Sequence, residues 1–272
     1  RAPSTISFVP NGKFTGTKTL NNTLTYFPAK LLASPSSAAM NMTEEPLLVS
    51  GTHLQVGARY QYDGIAPGID AFVTVDSLVN GAVINKLDDN ANGSGFTEGF
   101  QPQITSGPVV GESYVKLKFE YFISGTNDTA SVSDLTLTTL DIDGTATYKE
   151  FNEINLGPGA TASYVAGSPG ITLTEPQPGT FRGINANGMT VNGVDTSAKY
   201  HMFTVTNKNV SSFTVKMGIV NTQPVATYRL FSFYSRGFVY LVMGTLPVKM
   251  ETFTVQLNNG YADLKWTTSS EK

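Results

Sequence analysis

The sequence predicts an all-β protein: a β-sandwich or jelly-roll-like main domain followed by a C-terminal β-hairpin segment. Three observations carry this. Apolar and polar residues alternate with period two in one run after another, the signature of half-buried strands. The chain is broken between those runs by 14 Pro and 26 Gly, a turn density that suits a sandwich or jelly roll. The one stretch with any helical character, Pro28–Met42, contains Ala33-Ser34-Pro35-Ser36-Ser37 and reads as a loop.

In chain order, the first strands are expected at Thr5–Val9 and Leu20–Phe27, followed by a Ser-, Ala- and Pro-rich connection that ends near residue 50. The clearest alternation follows at Ala71–Val75, Tyr114–Phe122, Leu135–Leu140, Ala162–Val165, Met202–Thr206 and Ser212–Met217. Tyr228–Tyr234 and Phe238–Met243 are rich in aromatics and read as strands buried on both faces. Lys249–Leu257 and Tyr261–Thr268 flank Asn258-Asn259-Gly260, and Asn-Gly between alternating runs marks a hairpin. The expected divisions are 1–50 (N-terminal strands and connection), 51–245 (main sandwich) and 246–272 (C-terminal hairpin). Two strands alone bury too little to be stable in water. Phe253 and Trp266 therefore call for the main sandwich, a continuation of the chain or another molecule's sheet.

Composition narrows the function. Charged residues make up 14% of the chain, against roughly 25% in soluble domains generally, and Thr, Ser, Asn and Gly take their place. The net charge is −3 with no basic run, which argues against nucleic acid as a partner. With no cysteine, disulfides, thiolate metal sites and cysteine nucleophiles are excluded together. Secreted eukaryotic proteins of this size usually carry disulfides, so the bacterial exterior is the expected location. No run of 18 apolar residues is present to span a bilayer as a helix. The start at Arg1 fits a processed chain.

Residues 246–271, from Leu246-Pro-Val-Lys-Met-Glu-Thr-Phe through Asn258-Asn-Gly-Tyr-Ala-Asp-Leu-Lys-Trp266, resemble the segment that precedes the sorting domain in Bacteroidetes surface proteins exported by type IX secretion. The resemblance implies the opening of a small Ig-like or fibronectin-like module, with the sorting signal itself not included. Residues 57–236 resemble a domain of large adhesin-like proteins of the same bacteria. The carrying phrases are Gly68–Val75, Asp88–Gly93, Tyr114–Phe119, Asp141–Gly144 followed by Glu150–Glu153, and Asn209–Phe213. This implies a cell-surface or released protein with an adhesive or structural role and no enzymatic activity. It also implies O-linked glycans at Asp-Ser/Thr-apolar triplets, which places glycosylation at Ser77 and Thr129.

The foremost candidate site is for calcium. Asp88, Asn90 and Asn92 alternate before Gly93, as in the first half of a calcium-binding loop, where alternating oxygens wrap a hard cation. The twelfth position is Gly99 rather than a bidentate Glu, so this is not an EF-hand. Asp141, Asp143 and Glu150, with Glu153, would complete the ligand set if the two loops met at one end of the sandwich. Plain turn chemistry explains the same Asp, Asn and Gly residues equally simply.

Catalytic patterns are weak. Glu112, Glu120, Asp134, Asp141, Asp143, Glu150 and Glu153 offer carboxylate pairs without a known separation. His53 and His201 stand alone, and no nucleophile elbow or phosphate loop occurs. Tyr26, Phe27, Tyr60, Tyr62, Tyr148, Tyr164 and Trp266 could form a sugar-stacking platform. The resulting expectation is a non-enzymatic extracellular structural or adhesive protein that self-assembles by strand addition through residues 246–272 or Ser4–Val9. The alternative is a carbohydrate-binding module of a secreted polysaccharide-degrading protein.

Overall fold

A computed structural model describes residues 32–33, 40–89, 97–191, 193–238, 243–244, 250–258 and 261–268. All belong to one compact unit, Leu31–Lys272. The expected strands at Thr5–Val9 and Leu20–Phe27 lie outside the described residues.

The strands, in chain order, begin with β1 (Leu32–Ala33), β2 (Leu47–Ser50), β3 (Arg59–Ala66), β4 (Ile69–Val79), β5 (Val83–Lys86), β6 (Gln103–Thr105) and β7 (Gly111–Ile123). β8 (Ser131–Leu140), β9 (Tyr148–Asn155), β10 (Thr161–Val165), β11 (Ile171–Gln177), β12 (Thr180–Asn185), β13 (Phe203–Val210) and β14 (Ser212–Asn221) follow. The remainder are β15 (Tyr228–Leu230), β16 (Ser232–Tyr234), β17 (Met243–Gly244), β18 (Met250–Asn258) and β19 (Tyr261–Thr268). One short 3-10 turn, Lys199–His201, interrupts them.

Two large sheets make the sandwich. The first has eight antiparallel strands in the order β11-β12-β9-β14-β7-β4-β3-β2. The second runs β1-β8-β13-β10-β17, with β16 also on β8. A small sheet, β15-β6-β5, adjoins them, and β18 pairs with β19 as the Asn-Gly signal predicts.

Strand β7 shows why the sheets face each other. Val115, Leu117, Phe119 and Tyr121 are buried, while Tyr114, Lys116, Lys118 and Glu120 alternate with them on the outer face. Inward side chains of β8 (Leu135, Leu137) and β13 (Phe203, Val205) join the same core. At its centre Phe119 stacks on Phe213 with ring centroids 4.7 Å apart, and Phe233 meets both. Turn chemistry agrees: Asn80 and Gly81 both hold positive φ (54° and 77°), as a type I′ turn requires, and carry the chain from β4 into the small sheet.

The single strand expected at Tyr228–Tyr234 is two. Phe231 donates its N–H to the Pro102 carbonyl (3.0 Å), and the chain changes partner there, β15 lying on β6 and β16 on β8. Of the strand expected at Phe238–Met243, only Met243 lies within a described strand.

Candidate functional site

Three of the residues read as calcium ligands come together at the β8–β9 connection. Asp143 and Glu150 are fully buried, and each is tied to the other's backbone. Glu150 Oε2 accepts the Asp143 N–H at 3.0 Å, and the Glu150 N–H reaches the Asp143 carbonyl at 2.8 Å. The Val191 N–H donates to Asp143 Oδ1 at 2.7 Å. Arg229, arriving on β15, donates from Nη2 to Asp143 Oδ2 at 2.7 Å and from Nε to Glu150 Oε1. Its guanidinium also lies 5.4 Å from the Tyr148 ring centroid. Asp141 sits beside them in the left-handed region (φ 58°), with a buried Oδ1 that has no hydrogen-bond partner.

The electrostatics follow from burial. Desolvation, with the charges of Asp143 and Glu150 adding to it, pushes the Asp141 carboxyl up to about 8. Burial carries Glu150 up to about 7 even with Arg229 against it, and raises Asp143 as well. Burial works against the Arg229 charge, but the carboxylates prevail and hold it more firmly protonated. Arg229 already supplies the positive charge that a metal would bring to Asp143 and Glu150. Among the described residues no group of three acidic, His or Cys side chains is disposed to hold a metal ion.

Glu153 belongs elsewhere. Three residues along a strand reverses the face, and Glu153 points outward to Lys216 (2.6 Å) and Arg182 (3.7 Å). Asp88 has different surroundings again: it accepts the Tyr62 hydroxyl at 3.0 Å and the Gln101 N–H at 2.9 Å. Burial pushes its carboxyl up to about 7. Asn90 and Asn92 lie outside the described residues.

Among the described residues the aromatic platform is not assembled. Tyr60 and Tyr62 are core residues, 2% and 1% exposed, so neither can offer a ring face to a sugar. Tyr148 and Tyr164 are half-buried against the core, Trp266 stands opposite Phe253 in the β18–β19 register, and Tyr26 and Phe27 lie outside the described residues. On the outer face of the eight-stranded sheet the rings are already capped by cations. Arg59 lies 4.2 Å over Phe72, and Arg182 lies 3.8 Å over Phe151. Of the two glycosylation candidates, Thr129 is exposed in the connection from β7 to β8, whereas Ser77 is half-buried at a bulge in β4.

The feature that sequence reading missed is β2. It is the outermost strand of the eight-stranded sheet among the described residues, and all four of its residues are exposed. Leu47, Leu48 and Val49 are 65%, 37% and 41% exposed. A four-residue strand without alternation gives no periodic signal. Its one clue was a Leu-Leu-Val run between Glu44-Glu45-Pro46 and Gly51.

No protein-family model matches the chain, and no curated protein matches its sequence. Two of the solved structures that are loosely similar illustrate the likeness. One is glucan-binding protein C of Streptococcus mutans, described as mediating sucrose-independent and sucrose-dependent adherence. It is 16% identical over 67% of this chain and 59% of its own, with a TM-score of 0.41. The other is the N-terminal domain of a Streptococcus gordonii adhesin, 12% identical over 76% of this chain and 54% of its own, with a TM-score of 0.43. The chain thus spans between a half and three fifths of each, and at these scores the likeness assigns no role to any residue.

Proposed function

We propose that this chain is a non-catalytic, extracellular adhesive or structural domain of a bacterial surface protein, of the kind Bacteroidetes export. It attaches by adding strands across open sheet edges, not through a pocket. The observation that carries this is β2, the outermost strand of its sheet among the described residues, with three solvent-facing apolar side chains. Soluble proteins normally blunt such an edge, because it templates pairing with another chain. The ionisable clusters support the reading from the other direction. Asp143 and Glu150 are bound by Arg229 and Asp88 by Tyr62, leaving each committed to holding the fold. The β18–β19 hairpin is proposed as a second junction, since two paired strands bury little alone.

Beads coated with the chain should attach to bacterial or host-cell surfaces above the level of bare beads, and Leu47→Lys should reduce that attachment. Equal attachment by bare beads would sink the proposal. Thr129 is proposed as an O-glycan acceptor. In the native host, Thr129→Ala should remove the mass of one glycan, and an unchanged mass increment would refute it.

A further inference from the structure

β12 and β13 are joined by residues 186–202, a strap that forms no strand and of which residue 192 lies outside the described residues. Val194 and Met202 of this strap pack with Leu140 and Tyr234, the last residues of β8 and β16, in a small apolar cluster separate from the main core. The ends of the strap are fastened by backbone: the Ala186 N–H donates to the Gly170 carbonyl at 2.8 Å, and the Ile142 N–H to the His201 carbonyl at 3.0 Å. Its middle is held to residues 141–144, at the start of the β8–β9 connection. There the Gly144 N–H donates to the Met189 carbonyl at 3.1 Å, and the Val191 N–H donates to Asp143 Oδ1 at 2.7 Å. We propose that residues 141–144 are a proton-operated latch: the strap stays closed while Asp141 and Asp143 share a proton, and opens locally when that proton leaves.

Hydrogen-bond accounting leads to the shared proton. Asp143 accepts from Val191 at Oδ1 and from Arg229 at Oδ2. The Asp141 carboxyl lies within hydrogen-bonding reach of Asp143 as well, and two carboxyl groups so placed hold one proton between them. The groups facing the pair favour this. Glu150 and Tyr148 approach from β9, Arg229 from β15, and His201 from the 3-10 turn, its Nδ1 3.1 Å from the Ile142 carbonyl. One guanidinium thus faces three carboxyl groups, and without the shared proton their negative charge would exceed it by two.

Loss of the proton has to move the pair. Asp141 Oδ1 is buried and has no hydrogen-bond partner, so a charge there has nothing to stabilise it. The Asp141 backbone is in the left-handed region at φ 58°, a conformation that costs a residue with a side chain. A shift of residues 141–144 breaks both bonds to the middle of the strap, because the Asp143 side chain makes one and the Gly144 backbone the other. Burial lifts Asp141 to about 8, so the latch is closed at neutral pH and opens as the medium turns alkaline.

The chain has no cysteine, so Met189→Cys, at a side chain 59% exposed, accepts a single nitroxide label. Its paramagnetic resonance spectrum should be restricted at about pH 6 and gain a mobile component with a midpoint near 8. Asp141→Asn should keep the label restricted up to about pH 10, because the amide donates to Asp143 without titrating and Asn tolerates positive φ. A label at Thr174→Cys, exposed on β11, should not change over that range. In the unlabelled chain the Val191 amide should lose hydrogen-exchange protection across the same midpoint, while the Leu117 amide of β7 keeps its own. A label at 189 that stays restricted throughout, or that becomes mobile equally in Asp141→Asn, overturns the latch. So does an unchanged Val191 amide. Mobility gained at 189 and 174 together is unfolding of the whole domain and overturns it too. These readouts follow the fold and stand apart from any adhesive role.

Discussion

Arg229 Nη2 donates to Asp143 Oδ2 at 2.7 Å, an ion pair that joins strand β15 to the β8–β9 connection across 86 residues of chain. The same guanidinium engages Glu150 through Nε, so one side chain neutralises two carboxylates that have no exposure of their own. The pair holds the small sheet to the edge of the sandwich core. Its worth lies chiefly in what its loss would leave behind.

Replacing Arg229 with Met should therefore cost about 3–5 kcal/mol, because two buried carboxylates would lose their counter-charge. Adding Glu150→Gln to that background should recover part of the loss by removing one of the stranded charges. Urea unfolding midpoints of the single and double variants measure both effects. A single variant within about 0.5 kcal/mol of the parent, the range of an ordinary surface change, would contradict the arrangement.

Stability should fall as the medium becomes alkaline. Asp141 is raised to about 8 and Glu150 and Asp88 to about 7, in each case first by burial. The unfolded chain releases these protons near the ordinary values of 3.8 for Asp and 4.5 for Glu. Between those values and the folded ones the native state binds more protons, so stability decreases with rising pH. The contribution is complete below about pH 4 and gone above about pH 8. Asp70 works in the opposite sense. Burial alone would raise it, but the Gly64 N–H, Ser124 hydroxyl and Gly125 N–H outweigh burial and lower it, so its contribution is lost in strong acid. The optimum should therefore be mildly acidic, and Asp141→Asn should flatten the alkaline slope. An optimum above pH 8 would show that the cluster ionises without penalty.

Calcium should leave the Arg229 cluster unmoved, since the Asp143 and Glu150 oxygens facing Arg229 are already engaged. Melting curves with calcium and with a chelator separate the possibilities. A rise in melting temperature that Asp88→Asn abolishes would place an ion on the Asp88 loop. A rise abolished by Asp143→Asn would place it at the β8–β9 connection, against this prediction.

The strands that sequence reading found are those whose inward positions are apolar. In β7, and over Ser212–Met217 of β14, alternation and burial coincide residue by residue. β9 was read as a patch of carboxylates instead, because it inverts the rule: Glu150 and Asn152 face the core, and Phe151 faces outward beneath Arg182. What makes Glu150 tolerable inside is a guanidinium 79 residues away, and no local pattern announces so distant a partner. The grouping of Asp141, Asp143 and Glu150 was legible, whereas the inclusion of Glu153 failed on strand geometry, an odd spacing reversing the face. The division of Tyr228–Tyr234 was illegible for a related reason, since alternation records burial and not which strand lies alongside.

The last prediction concerns a place where two strands depend on a missing side chain. Gly183 of β12 faces the core opposite Asn152 of β9, and Phe203 of the other sheet lies directly over its Cα. A methyl group there would sit 2.6 Å from Phe203 Cε1, 2.7 Å from its Cδ1 and 3.3 Å from Ile142 Cδ1. Gly183→Ala should cost about 1–3 kcal/mol by overpacking. The strain should also reach the carboxyl cluster, because Ile142 lies between Asp141 and Asp143 in the chain. Phe203→Leu in the Gly183→Ala background makes room for the methyl. The two changes together should therefore cost less than the sum of each alone, a coupling that a double-mutant cycle reads directly. Strict additivity would mean that the two sheets do not meet at Gly183, and the register of β12 on β9 would then need redrawing.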